Sequence, residues 1–190
     1  MELSPQQQSQ LLDLARATIR ASLGEPSAAS VDGFDPQCRV AACCFVTLHT
    51  IGEHRLRGCI GQLTSAEPLT ETVADMARSV LRDPRFASNR VTLDELAELE
   101  IELTILSPLE PAGSVMDFDL LNDGIYLQCQ GETGCFLPQV ARETGWDKVS
   151  LLNRLCSEKM GLPPDAWRDP KARLERFRTF IVGPQPFVLR

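Results

Sequence analysis

The sequence predicts an α+β fold, a mainly antiparallel sheet flanked by helices. Three observations lead there. Leu99 to Leu106 alternates Leu99, Ile101, Leu103 and Ile105 against Glu100, Glu102, Thr104 and Leu106, the period of a half-buried strand. Two pairs of strand-like segments meet at short Gly-containing turns and read as hairpins. Strands and helices do not alternate regularly, so the sheet is not a series of parallel crossover units.

The elements follow in order. Residues 4–23 read as a helix, with Ser4 as N-cap, Pro5 in its first position, an apolar stripe at Leu11, Leu12, Ala15 and Ile19, and Gly24 as the stop. Residues 25–36 are rich in Pro, Ser, Ala, Gly and Asp and read as a loop. Ala41 to His49 is apolar on both faces, as suits a central strand. The turn Thr50-Ile51-Gly52-Glu53 then returns the chain as a second strand over Arg55 to Ile60. Glu67 to Arg82 reads as a helix with an inner stripe of Leu69, Val73, Met76, Ala77 and Val80, ended by Asp83-Pro84. Thr92 and Glu95 stand at capping-box spacing.

Beyond the alternating strand, Gly124 to Cys129 and Cys135 to Leu137 flank Gly131-Glu132-Thr133-Gly134 as the second hairpin. Pro138 starts a short helix to Glu143, and Asp147 caps a longer one to Met160 with Gly161 behind it. Arg173 to Val182 predicts a last strand whose inner face is ambiguous. No linker splits the 190 residues, so a single domain is expected, with any helical lobe inserted around residues 62–95.

Composition narrows the function. A net charge of −7 argues against nucleic acid and anionic membranes, whose affinity for proteins comes from Lys and Arg. No apolar run reaches the roughly 18 residues a membrane helix needs, and Met1 to Gln7 lacks a signal-peptide pattern, so a cytoplasmic chain is expected. Of the seven cysteines, at least five read as buried, reduced small hydrophobes. Their spacing does not suit zinc, and no cofactor is implied.

The segment Leu56-Arg57-Gly58-Cys59-Ile60-Gly61 carries the most chemistry. On a regular strand Arg57 and Cys59 share a face with Cβ atoms roughly 7 Å apart, and a guanidinium beside a thiol favours the thiolate. Gly58 and Gly61 would let a ligand or another backbone approach, with Ile60 between them. The bland alternative is a tight hairpin with two structural glycines and one buried cysteine. His49 and His54 read as exposed hairpin-tip residues, which leaves Cys59 without an evident base. Arg85 is either an anion contact or part of a helix terminator, Glu102 either a pocket carboxylate or a solvated charge, and Gln139 either a cleft residue or routine polarity at a helix start.

Several blocks together resemble the AMMECR-type domain family, known in prokaryotes as protein A of the AmmeMemoRadiSam system. They are Phe45-Val46-Thr47-Leu48, the 56–61 segment, Pro68-Leu69, Asp83-Pro84-Arg85-Phe86, Glu95-Leu96, Ile101-Glu102-Leu103 through Leu106-Ser107, Leu137 to Ala141, Gly145-Trp146-Asp147 and Leu152 to Cys156, in family order. The resemblance implies a larger α+β lobe containing both termini, a smaller helical lobe, a cleft bordered by the 56–61 segment, and a RAGNYA-like fold. It also implies the company of Memo-type and radical S-adenosylmethionine proteins, and no established activity. The functional expectation is a cleft that binds a small molecule or peptide, with Cys59 reactive and Arg57 holding the thiolate or an anionic group. The rivals are a non-catalytic protein-interaction adaptor and a nucleic-acid or nucleotide binder.

Overall fold

A computed structural model describes residues 3–26 and 33–187. Met1, Glu2 and residues 27–32 of the expected loop lie outside the described residues. The elements run α1 (Pro5–Ser22), β1 (Cys43–Thr50), β2 (Leu56–Gly61), α2 (Leu69–Val80), β3 (Leu99–Leu106), β4 (Glu110–Pro111), β5 (Gly124–Cys129), β6 (Glu132–Phe136), α3 (Pro138–Thr144), α4 (Lys148–Arg154), β7 (Arg173–Phe177) and β8 (Thr179–Pro186). The chain is α+β, as its sequence predicts, with two four-stranded sheets ordered β2-β1-β3-β8 and β4-β7-β5-β6. No helix among the described residues is long and apolar enough to cross a membrane.

The chain forms two compact units, Met1–Leu106 with Phe180–Arg190, and Ser107–Thr179. In the first, α1 begins with a capping box in which the Ser4 side chain accepts from the Gln7 amide and the Gln7 side chain accepts from the Ser4 amide. Its stripe of Leu11, Leu12, Ala15 and Ile19 is buried in one core with Val46 and Leu48 of β1 and with Leu99, Ile101 and Leu103 of β3. The α2 stripe of Leu69, Val73, Ala77 and Val80 enters the same core. Each large side chain there contributes about 1.5–3 kcal/mol on burial. Residues 62–95 lie within the first unit, with the apolar face of α2 buried in its core. The second unit has its own sheet and its own core around Ile125, Leu127, Leu152, Leu155 and Trp167.

Three local differences have physical causes. The second hairpin turns earlier than expected, at Gln130-Gly131, both at positive φ (52° and 87°), and Glu132 already belongs to β6. The helix from Asp147 to Met160 is interrupted, its last turn, Leu155–Lys159, widening into a π turn. The ambiguous last strand is two strands: Leu174 and Phe177 of β7 are buried in the second unit, and Val182 of β8 in the core of the first. One alternation could not describe both.

Candidate functional site

Strand register builds the site. Thr47 of β1 stands opposite Cys59 of β2 on one side and opposite Glu102 of β3 on the other. Directly paired residues point to the same face, so Cys59, Thr47 and Glu102 form a row across three strands. Val46 and Leu48, one residue either way along β1, are buried in the core that α2 joins, so the row lies on the face turned away from α2.

The spacing within the row follows from the hydrogen-bond pattern. β2 is an edge strand, and the Cys59 N–H and C=O both point outward. Cys59 and Thr47 are therefore a non-hydrogen-bonded pair, the kind whose side chains approach most closely. The Thr47 hydroxyl donates to Cys59 Sγ at 3.3 Å.

The exposed edge is covered by the turn after α2. Asp83 Oδ2 accepts the Cys59 N–H at 2.9 Å, and Arg85 Nη2 donates to the Cys59 carbonyl at 2.9 Å. Asp83 also accepts from Arg85 Nε at 3.0 Å, Nη2 at 2.6 Å and the backbone amide at 3.0 Å. The hydrogen-bonded Arg85 guanidinium lowers the Asp83 carboxyl most. Burial opposes it and the Cys59 and Arg85 amides assist it, which leaves the carboxyl at about 2, well below its ordinary value. Two side chains thus stand in for a neighbouring strand and fix the Cys59 backbone.

Arg57 does something different. Between Leu48 and His49 the β1–β2 register slips: Leu48 faces Gly58 and His49 faces Leu56, which leaves Arg57 as the extra residue of a β-bulge. A bulge breaks the alternation that would place Arg57 beside Cys59. The guanidinium is 5% exposed, bonds Glu95 through Nε and Nη2, donates to the Asn89 carbonyl at 3.2 Å, and lies over the Phe86 ring. Its hydrogen bond holds the Glu95 carboxyl below the ordinary range. The guanidinium near Cys59 is that of Arg85, and it meets the backbone carbonyl.

The glycines are packing devices. A Cβ on Gly58 would lie 2.9 Å from Val80 Cγ2 and 3.0 Å from the Val80 carbonyl oxygen. A Cβ on Gly61 would overlap the Phe45 ring. Ile60 packs against the first core. Gly58 and Ile60 thus face α2, away from the row, and Gly61 makes room for Phe45.

Glu102 is half-buried, and burial raises its carboxyl pKa, an effect that His49 and the Thr104 hydroxyl (3.5 Å) oppose. His49 lies within β1 two residues from Thr47, so it belongs to the same face and not to the hairpin tip. His54 does lie in the turn, at φ 50°, with Nδ1 2.6 Å from Glu100 Oε1. Gln139 is in α3 of the second unit, where its Oε1 is buried without a partner among the described residues. Five cysteines are buried, and Cys135, half-buried, has its thiol pushed up to about 12 by burial. Cys59 is the other half-buried one. No group of three His, Cys, Asp or Glu side chains among the described residues is placed to hold a metal.

Three contributors escape the sequence pattern. Thr47 is legible there only as the polar interruption of an apolar strand, Asp83 only as a helix stop, and Glu95 only as a capping residue. The signal that could find Thr47 is its place opposite Cys59 once the hairpin is folded about residue 52 or 53.

Known proteins resemble the chain over most of its length. The AMMECR1 family profile matches residues 12–182. A protein of Methanothermobacter thermautotrophicus is 36% identical over 179 residues, 90% of this chain and 91% of that one. Protein MJ0810 of Methanocaldococcus jannaschii is 38% identical over 145 residues, 73% of this chain and 71% of that one. The crystal structure of the uncharacterised protein PH0010 from Pyrococcus horikoshii is similar with a TM-score of 0.83 and 29% identity, covering 95% of this chain and 93% of that one.

Proposed function

The chain belongs to the AMMECR1 family, and we propose that it binds a small molecule or peptide at the Cys59–Thr47–Glu102 row and presents Cys59 as a reactive thiol. The observation that carries the reading is the Thr47 hydroxyl donating to Cys59 Sγ at 3.3 Å. The sulfur is half-buried, held beside that hydroxyl and free of any disulfide, so it stands where a ligand can meet it. Across Thr47, burial raises the pKa of the Glu102 carboxyl, which offers a polar contact to the ligand. Asp83 and Arg85 fix the strand that carries the sulfur, and Arg57 with Glu95 fixes the bulge beside it. The partner classes implied by the family, a Memo-type protein and a radical S-adenosylmethionine enzyme, accompany this reading as proposals.

The test is quantitative mapping of the native chain with limiting iodoacetamide. Cys59 is expected to label first and the five buried cysteines only on unfolding. Equal labelling of all seven, or faster labelling of a buried one, overturns the reading. A Cys59→Ser strain that grows like its parent under conditions where deletion of the gene does not would refute the functional importance of the thiol.

A further inference from the structure

We propose a second ligand site on the first unit: a groove of about 650 Å³ that holds a soluble phosphate monoester. It runs along the exposed stripe of α2. Asp75, Arg78, Ser79 and Arg82 follow each other at helical spacing along α2 and the turn that ends it, so they share one stripe. Ser22 and Leu23 from the end of α1, and Arg90 and Val91 from the segment leading to β3, complete the lining. The volume falls in the range of small-molecule sites.

Charge selects the ligand. Three arginines line the groove against one carboxylate, Asp75, and that carboxylate is taken by Arg78. The side chains of Arg82 and Arg90 form no ion pair or hydrogen bond among the described residues, and both are exposed. Elsewhere in the chain Arg16, Arg20, Arg57, Arg85 and Arg154 each hold a carboxylate. In a chain of net charge −7, two unpaired guanidiniums facing one groove are not the by-product of a basic surface. Planar guanidinium forks match the oxygens of a tetrahedral dianion, and the Ser79 hydroxyl is a further donor. Leu23, Met76, Leu81 and Val91 give the groove apolar surface, which an ester's organic group would cover and inorganic phosphate would not. Phosphate monoesters therefore fit better than a bare anion.

The test uses isothermal titration of the full chain with phenyl phosphate and with inorganic phosphate at low and high salt. Phenyl phosphate is expected to bind saturably and more tightly than inorganic phosphate, with affinity falling as salt rises. The double variant Arg82→Ala/Arg90→Ala is expected to weaken binding by about tenfold or more, while Asp75→Asn, which frees Arg78, strengthens it. All three positions are exposed, and an unchanged urea midpoint confirms that the variants fold. Absence of saturable binding, or equal binding by the double variant, overturns the proposal. Vesicles of phosphatidylcholine with and without phosphatidic acid distinguish the source: capture by the acidic vesicles alone, lost in the double variant, would assign the monoester to a lipid headgroup and overturn the soluble ligand.

Discussion

Replacing Asp83 by Asn tests whether the edge of β2 is held electrostatically. The carboxylate is 1% exposed and serves Cys59 and Arg85 together. Its pKa falls from 3.8 to about 2. At about 1.4 kcal/mol per pH unit, that shift corresponds to roughly 2–3 kcal/mol of stability at neutral pH. Arg85 is 55% exposed, so solvent screens part of the pair, and about 1–2 kcal/mol is the expected loss. The sign is fixed by the direction of the shift. A lowered carboxyl pKa contributes stability that is fully present above the unfolded value and is lost as pH falls through the folded one. The deficit of the variant should therefore be constant from pH 7 to 5 and shrink by about half near pH 3. Urea unfolding at the three values measures it, and amide hydrogen exchange at Cys59 locates it. A variant as stable as the parent at pH 7, or a deficit that does not shrink at pH 3, would refute the claim that ionised Asp83 fixes this strand.

Glu102→Gln should act in the opposite sense. Burial raises the Glu102 pKa, so ionisation costs stability as pH rises past the ordinary carboxyl range; the variant should be more stable than the parent at pH 7 and equal to it near pH 4, by thermal melting at both values. Thr47→Val removes the donor to sulfur and should slow alkylation of Cys59 about threefold to tenfold at pH 7, measured by mass spectrometry; an unchanged rate would make the contact incidental. Gly61→Ala places a methyl group where the Phe45 ring stands and should cost about 1–3 kcal/mol in urea, with Phe45→Leu in the same chain recovering part of it.

Most of the fold is legible in the sequence because its signals are local. The Ser4 cap, the Leu69 to Val80 stripe and the alternation of Leu99 to Leu106 each belong to one element, and each element is present. What is not legible depends on partners distant in sequence. Arg173 to Val182 has one ambiguous pattern because its two halves pack in different units. Residues 62–95 look separable until the α2 stripe is seen in the core with α1 and β1. At the site, Cys59 can be read from residue type, but its neighbours cannot. Alternation is a rule for regular strands, and one inserted residue in β2 sends Arg57 to Glu95 while leaving Cys59 opposite Thr47.

The bulge also explains how one short segment can hold a cysteine in place without enclosing it. Arg57, Gly58 and Gly61 all make contacts within the first unit: with Glu95 and Phe86, with α2, and with Phe45. Asp83 and Arg85 satisfy the outward backbone groups of Cys59 itself. These neighbours are committed to structure, whereas the thiol stays half-buried, with a hydroxyl donor and no disulfide. If the segment served packing alone, a buried aliphatic residue at position 59 would do equally well. A half-buried sulfur hydrogen-bonded by Thr47 is the arrangement that such a residue could not replace.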